Sequence, residues 1–251
     1  AVLYPDEHNY LYFVAKPAGS GETCLECGAM SAPLTLVVAN KNYSSWSMRP
    51  WVLLRGREIP FRERLLKFES QDWRDHIARF SPSGLVPVLW EGEPGAGFAT
   101  WDTLAIAERL HELYPQRGVW PVDPLLRARA RCAAAEMHSG FRALRGAMPM
   151  NIRSRYPGKG MNDAVAKDIA RISAIWEAAK RPYLFGEFCA ADAFYAPVAT
   201  RLVTYGVELK GAARGYQQAL LASPGVKAWS ADAVKETEFV AEDEPYASPP
   251  R

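Results

Sequence analysis

The sequence predicts an α/β unit of order βαβαββα followed by an all-helical bundle. Strand and helix signals alternate over residues 34–115, and strand signals almost vanish beyond residue 124. The third observation is compositional: 49% hydrophobic and 23% charged residues over 251 positions is ordinary for a globular protein, and that length suffices to bury a sizeable core. A disordered, collagenous or disulfide-scaffold chain is excluded on the same ground.

Leu34–Val38 is a continuous apolar run, read as a buried strand, and Ser44-Ser45-Trp46-Ser47 supplies capping residues for an apolar-periodic helix through Leu54. Pro50 lies early enough in that helix to cost less than it would at mid-helix. Phe61–Leu65 alternates as a strand does, and Asp72–Phe80 reads as a helix stopped by Ser81-Pro82-Ser83-Gly84. Val86–Trp90 and Phe98–Thr100 read as strands around a Gly-rich turn, and Asp102 opens the next helix. Helical stretches follow at 124–146, 163–180, 190–206, 213–222 and 226–237, with Trp176, Phe194, Tyr195 and Trp229 as core candidates.

The organisation is an N-terminal extension over 1–33, an α/β domain over 34–115, a linker over 116–123, a helical domain over 124–238 and an acidic, Pro-rich tail over 239–251. Met30-Ser31-Ala32-Pro33 reads as a protein N-terminus, so the functional chain is expected to begin at Met30 with an appended arm before it. Cys24 and Cys27 form a C-x-x-C without the second pair a zinc site needs, and Cys132 in an Ala-rich helix is expected to be buried packing. Four unevenly spread cysteines point to a reducing, cytoplasmic setting rather than an oxidised framework.

Thirty Lys+Arg against 28 Asp+Glu give a net charge of +2, which argues for neither nucleic acid nor a membrane surface. No apolar run reaches the ~20 residues needed to span a bilayer. The charge is uneven, however. Residues 34–115 hold ten basic and ten acidic side chains, whereas 127–159 hold eight basic ones against Glu136 alone. The acids from Asp232 onward read as a solvated tail.

Three helix or strand starts in the α/β unit suit ligand chemistry. The helix start at Ser44 offers hydroxyls beside unpaired N–H groups and a positive dipole end. Val86-Pro87 ahead of a strand is where a cis peptide bond is expected, presenting the Val86 backbone as an edge for an extended peptide. Asp102-Thr103 pairs an acid for an ammonium group with a hydroxyl and a helix start for a carboxylate, the two ends of an α-amino acid.

In this order the three elements, with the helical second half, resemble the glutathione transferases, whose first domain is thioredoxin-like. The resemblance runs from residue 34 to about 237. Ser44-Ser45-Trp46-Ser47-Met48-Arg49 is most similar to the Ser-Ser-Cys-Ser-x-Arg signature of the zeta class, which includes maleylacetoacetate isomerases, with Trp46 standing where that class has cysteine. Phe185–Phe194 resembles the family's capping box on the central helix of the bundle, with Asp192 present and Cys189 in the place of the usual Ser or Thr.

The resemblance implies a glutathione S-transferase, acting in detoxification in the cytoplasm as a homodimer and without a metal. Glutathione, the co-substrate, would bind with its γ-glutamyl end at Asp102 and Thr103 and its cysteine backbone on Val86 and Pro87. Lys67, with Gln71, would lie near the glycyl carboxylate. Ser44 would stabilise the thiolate, with Ser45 as alternate and Tyr43 as competitor. A free thiol titrates near pH 8.5, and such a site lowers that by ~2 units, roughly 2.7 kcal/mol. The acceptor site would lie between the domains at Trp46, His138, Arg142, Met150 and Arg153, where Met and aromatic groups suit a small hydrophobic electrophile and arginines an anionic one. Two other functions fit the same residues: a glutathione-dependent cis–trans isomerase, and a ligand carrier of the same fold without catalysis. The absence of cysteine from residues 44–47 disfavours chemistry through an enzyme-bound mixed disulfide.

Overall fold

A computed structural model describes residues 33–180 and 182–247. The expectations for the arm before Met30 and for Cys24 and Cys27 lie outside the described residues.

Five consecutive buried residues suit β1 (Leu34–Val38) to its place as an inner strand of a four-stranded sheet. It pairs in parallel with β2 (Arg62–Leu65), Leu36 opposite Glu63, and antiparallel with β3 (Val88–Glu91), Leu36 opposite Leu89. β4 (Phe98–Thr100) closes the order β2-β1-β3-β4 by antiparallel pairing with β3. The sheet is covered on both faces, which is why every residue of β1 is buried, Thr35 included, rather than every second one. Val37 and Val88 face α2 (Gln71–Phe80), which contributes Trp73, Ile77 and Phe80 at helical spacing. Leu36, Val38 and Leu89 face α1 (Ser45–Gly56) and α3 (Thr103–Leu113).

Six further helices follow: α4 (Pro124–Ser139), α5 (Arg142–Ala147), α6 (Asp163–Glu177), α7 (Ala190–Thr204), α8 (Gly211–Ala222) and α9 (Pro224–Ala233). α7 is central, packing on α1, α4 and α8, and the apolar core passes without interruption from the sheet into the helices. The segment expected as a linker carries Val119 and Trp120 into this core, and the Val119 carbonyl accepts from Ala190 N–H at 2.8 Å. Trp176, Phe194, Tyr195 and Trp229 are all core residues.

Three expectations are corrected. The helix expected over 124–146 breaks at Gly140, where a Cβ would lie 2.6 Å from the Glu136 carbonyl oxygen, and Phe141 takes a left-handed φ of 56° before α5 begins. Cys132 is exposed, because it falls on the outer face of α4 opposite the buried Ala130, Ala134 and Met137. The acidic tail is docked rather than solvated: Val240 and Glu244 are buried, and Glu244 accepts from Tyr43, Arg153 and Tyr156 at 2.7–2.8 Å. A buried carboxylate needs such donors; Tyr43 comes from the turn before Ser45 and the other two from the segment between Ala147 and Asp163.

At the start of α7, Asp192 Oδ2 accepts from Cys189 N–H at 2.8 Å, forming the acidic half of the capping box. The Cys189 thiol faces the backbone N–H groups of Ala191 and Asp192, and a thiol is a weak partner for them. Cys189→Ser is therefore expected to stabilise the protein by about 0.5 kcal/mol or more, read as a raised urea midpoint with an unchanged m-value. No change in midpoint would refute it.

Candidate functional site

Two cavities share Trp46 as a wall. The smaller, about 400 Å³, is lined by Trp46, Ser83, Leu85, Val86, Pro87, Trp101, Asp102 and Thr103. It gathers the four residues expected at Val86-Pro87 and Asp102-Thr103. The Val86–Pro87 peptide bond is cis, as is Trp101–Asp102. The paired register of β3 begins at Val88, so Val86 lies beyond the ladder. Asp102 is the N-cap of α3, its Oδ1 accepting from Leu104 N–H at 3.1 Å. Its exposed second oxygen stands 3.2 Å from His138 Nε2.

His138 joins the two cavities. Thr103 Oγ1 lies 3.4 Å from its Nδ1, so a neutral ring with the proton on Nε2 satisfies both neighbours, accepting from the threonine and donating to Asp102. Burial lowers its pKa, aided by Arg49 and Arg145 and opposed by Asp102, which favours that neutral form.

The larger cavity, about 680 Å³, lies between the start of α1 and helices α4, α5 and α7, with Phe68 and the docked tail at its margin. Tyr43, Ser45, Trp46, His138, Arg142, Arg145, Arg201 and Asp243 are among its lining residues. Ser44 is absent from both linings because it caps α1: its hydroxyl accepts from Ser47 N–H at 3.3 Å and donates to Ser47 Oγ at 2.8 Å, and Ser47 Oγ accepts from Ala39 N–H. Ser45, the first residue of the helix, faces the cavity, and among the described residues no hydrogen bond engages its hydroxyl. Tyr43 also reaches the cavity, but its phenol is held by Glu244 at 2.7 Å and by Arg153 at 2.5 Å. Burial and the Glu244 carboxylate push its pKa up, so its proton is committed.

Lys67, Met150 and Arg153 do not line either cavity. Lys67 is ion-paired with Glu238 of the docked tail, while Gln71 donates to Asp75. Met150 is core. Arg153 is turned to the Tyr43–Glu244 cluster and to the carbonyls of Glu236 and Glu238. Sequence reasoning missed Arg201 and Asp243. The available signal was the one basic residue in the largely apolar helix 190–204, a position that burial makes costly unless it has a role.

Arg49, the last residue of the Ser-Ser-x-Ser-x-Arg motif, is fully buried beneath Trp46, its guanidinium 4.0 Å from that ring's centroid and 5.2 Å from that of Phe194. Cation–π contact replaces hydrogen bonding here, since among the described residues none of its guanidinium nitrogens has a hydrogen-bond partner. Burial, then Arg145 and Arg201, push its pKa well below the ordinary arginine value.

The mixed sheet with helices on both faces, followed by a helical bundle, is the thioredoxin-like arrangement of the glutathione transferases. Residues 43–113 match the family of the glutathione S-transferase N-terminal domain. A glutathione transferase homologue from Burkholderia with bound glutathione is 25% identical, covering 81% of this chain and 100% of its own, with a TM-score of 0.62. A homologue from Sulfitobacter, also with bound glutathione, is 21% identical over 81% of this chain and 99% of its own, with a TM-score of 0.61. Glutathione transferase Omega 3C from Trametes versicolor is 19% identical over 79% and 90%, with a TM-score of 0.61. No curated protein matches the chain.

Proposed function

We propose that the protein is a glutathione transferase in which Ser45 stabilises the thiolate. The observation that carries this reading is the free Ser45 hydroxyl at the positive end of α1, one residue from the Trp46 wall that separates it from the Val86–Asp102–Thr103 cavity. Glutathione is read with its γ-glutamyl group at Asp102 and Thr103 and its cysteine on the Val86 edge. From there its thiol passes Trp46 toward Ser45. Asp102 keeps an exposed carboxylate for the ammonium group, and the N-terminus of α3 favours the carboxylate. Ser44 is then a structural cap. Lys67 enters only if Glu238 releases it, and we assign it no ligand. The homodimer and the kinship to the zeta class rest on resemblance alone, and the cytoplasmic setting on resemblance and the four unevenly spread cysteines.

In this reading Ser45 donates to the sulfur and removes no proton itself; the thiol proton leaves to solvent before attack. Trp46 gives the reacting region an aromatic wall. Calorimetric titration with reduced glutathione, followed by assay with 1-chloro-2,4-dinitrobenzene, tests the proposal. Saturable binding that is weakened in Asp102→Ala, together with thioether formation, is expected. Binding with rearrangement of a conjugated double bond and no loss of glutathione would make it an isomerase, and binding without turnover a carrier. Failure to bind glutathione ends the reading.

A further inference from the structure

The larger cavity has a charge imbalance that the glutathione reading does not use. Arg142, Arg145 and Arg201 line it against one carboxylate, Asp243. Three arginines elsewhere are held in close ion pairs, Arg109 with Glu91, Arg131 with Glu108 and Arg171 with Glu136, each at 2.7 Å. Among the described residues none of the three cavity arginines has an acidic partner within ion-pair distance. Arg201 is the most telling of them. It is 4% exposed, its Nε donates to the Met148 carbonyl at 2.9 Å, and its buried Nη1 has no hydrogen-bond partner among the described residues.

A solvated arginine face would account for Arg142, which is exposed, but not for a buried cation left incomplete. Desolvating a guanidinium without a counter-charge costs several kcal/mol, and an orphaned buried donor calls for an unseen partner. Arg145 bridges the apolar and charged parts of the cavity, its guanidinium lying 4.6 Å from the Trp46 ring centroid while one nitrogen donates to the His138 carbonyl. Among the described residues its remaining donors make no hydrogen bond, which leaves them for a planar oxyanion that a guanidinium fork matches in a bidentate way.

We infer that the larger cavity binds the carboxylate of an acidic second substrate, held by Arg145 and Arg201, with its apolar body against Trp46. Crowding of like charges agrees with this. Burial and the neighbouring Arg145 lower the Arg201 pKa to about 10, and burial pushes the carboxyl pKa of Asp243 up to about 6. A bound carboxylate relieves the repulsion among the guanidinium groups. The chemistry rests on the transferase reading, whereas the binding does not. On a halogenated nitrobenzoate the glutathione sulfur forms a bond to the ring carbon, halide departs with the electrons of the carbon–halogen bond, and the thiol proton has already gone to solvent. The products are a thioether carboxylate and halide.

Binding of 3,5-dinitrobenzoate and of uncharged 1,3-dinitrobenzene, neither of which carries a leaving group, is measured by calorimetry on the full chain and on Arg142→Gln/Arg145→Gln. The double variant is used because Arg142 is exposed and Arg145 only half-buried, and Arg201→Gln is added if its circular dichroism shows it folded. At least tenfold tighter binding of the carboxylate is expected, falling below threefold in the double variant. Equal affinity for the two probes, or a preference that survives in the double variant, overturns the inference. Glutathione is titrated into the same samples. Loss of glutathione binding with the carboxylate preference intact ends the transferase reading and leaves the anion site standing, while the reverse pattern removes the anion site alone.

Discussion

Ser45→Ala is expected to lower kcat/KM for 1-chloro-2,4-dinitrobenzene about 10- to 100-fold at pH 6.5, with the deficit closing as the pH rises. The hydroxyl is the unengaged donor at the start of α1, and a hydrogen bond to a charged sulfur is worth about 1.5–3 kcal/mol. At 1.36 kcal/mol per pKa unit, its loss raises the pKa of the bound thiol by about 1–2 units. Above that raised value the thiol ionises without help, so the variant approaches the parent. The neighbouring Ser44→Ala carries the contrasting expectation. Its hydroxyl is tied to Ser47, so its loss removes the cap and costs about 1 kcal/mol of stability, with no movement of the pH–rate profile. A profile shifted by Ser44→Ala and untouched by Ser45→Ala would reverse the assignment.

The choice between these two serines shows where sequence reading stops. A run of hydroxyls before an apolar-periodic helix announces a helix start, but not which hydroxyl is consumed in capping. That is settled by the turn Asn40–Tyr43, which places Ser44 at the cap and sends Ser45 into the cavity. Local signals were otherwise sufficient for the α/β unit, since β1 is apolar at four of its five positions and Asp102 caps α3 as its type suggests. The Gly140 break was present in the sequence but masked by strong helix formers on both sides. Long-range pairings were not legible at all. Lys67 meets Glu238 and Tyr43 meets Glu244, contacts 171 and 201 positions apart in the chain, and both depend on a tail whose composition alone reads as solvated. Arg153 was lost to the acceptor site for the same reason, because a buried Glu244 outcompetes an open cavity for its guanidinium.

Asp192→Ala is expected to be the most destabilising single change named for this protein, costing about 3 kcal/mol or more in urea unfolding. The carboxylate is fully buried and accepts from Leu184 N–H and Tyr216 O–H on one oxygen and from Cys189 N–H on the other, so it ties the preceding loop and α8 to the start of α7. Alanine strands three buried donors, each costing about 1–3 kcal/mol if no water reaches it. Asp192→Asn keeps one acceptor and turns an NH₂ group toward a donor, so it should lose most of the same stability. The pH dependence is the sharper measurement. Burial raises the Asp192 pKa to about 6 despite the three donors, above the ordinary carboxylate value of 3.8. Between those values the native state binds more protons than the unfolded chain, so stability falls as pH rises from about 4 through 6 and is level above. The stability gap between the parent and Asp192→Asn should therefore be larger at pH 4.5 than at pH 7.5, by on the order of 1–2 kcal/mol. A gap that instead widens toward pH 7.5 would mean that the three donors outweigh burial and hold the carboxyl below its ordinary range.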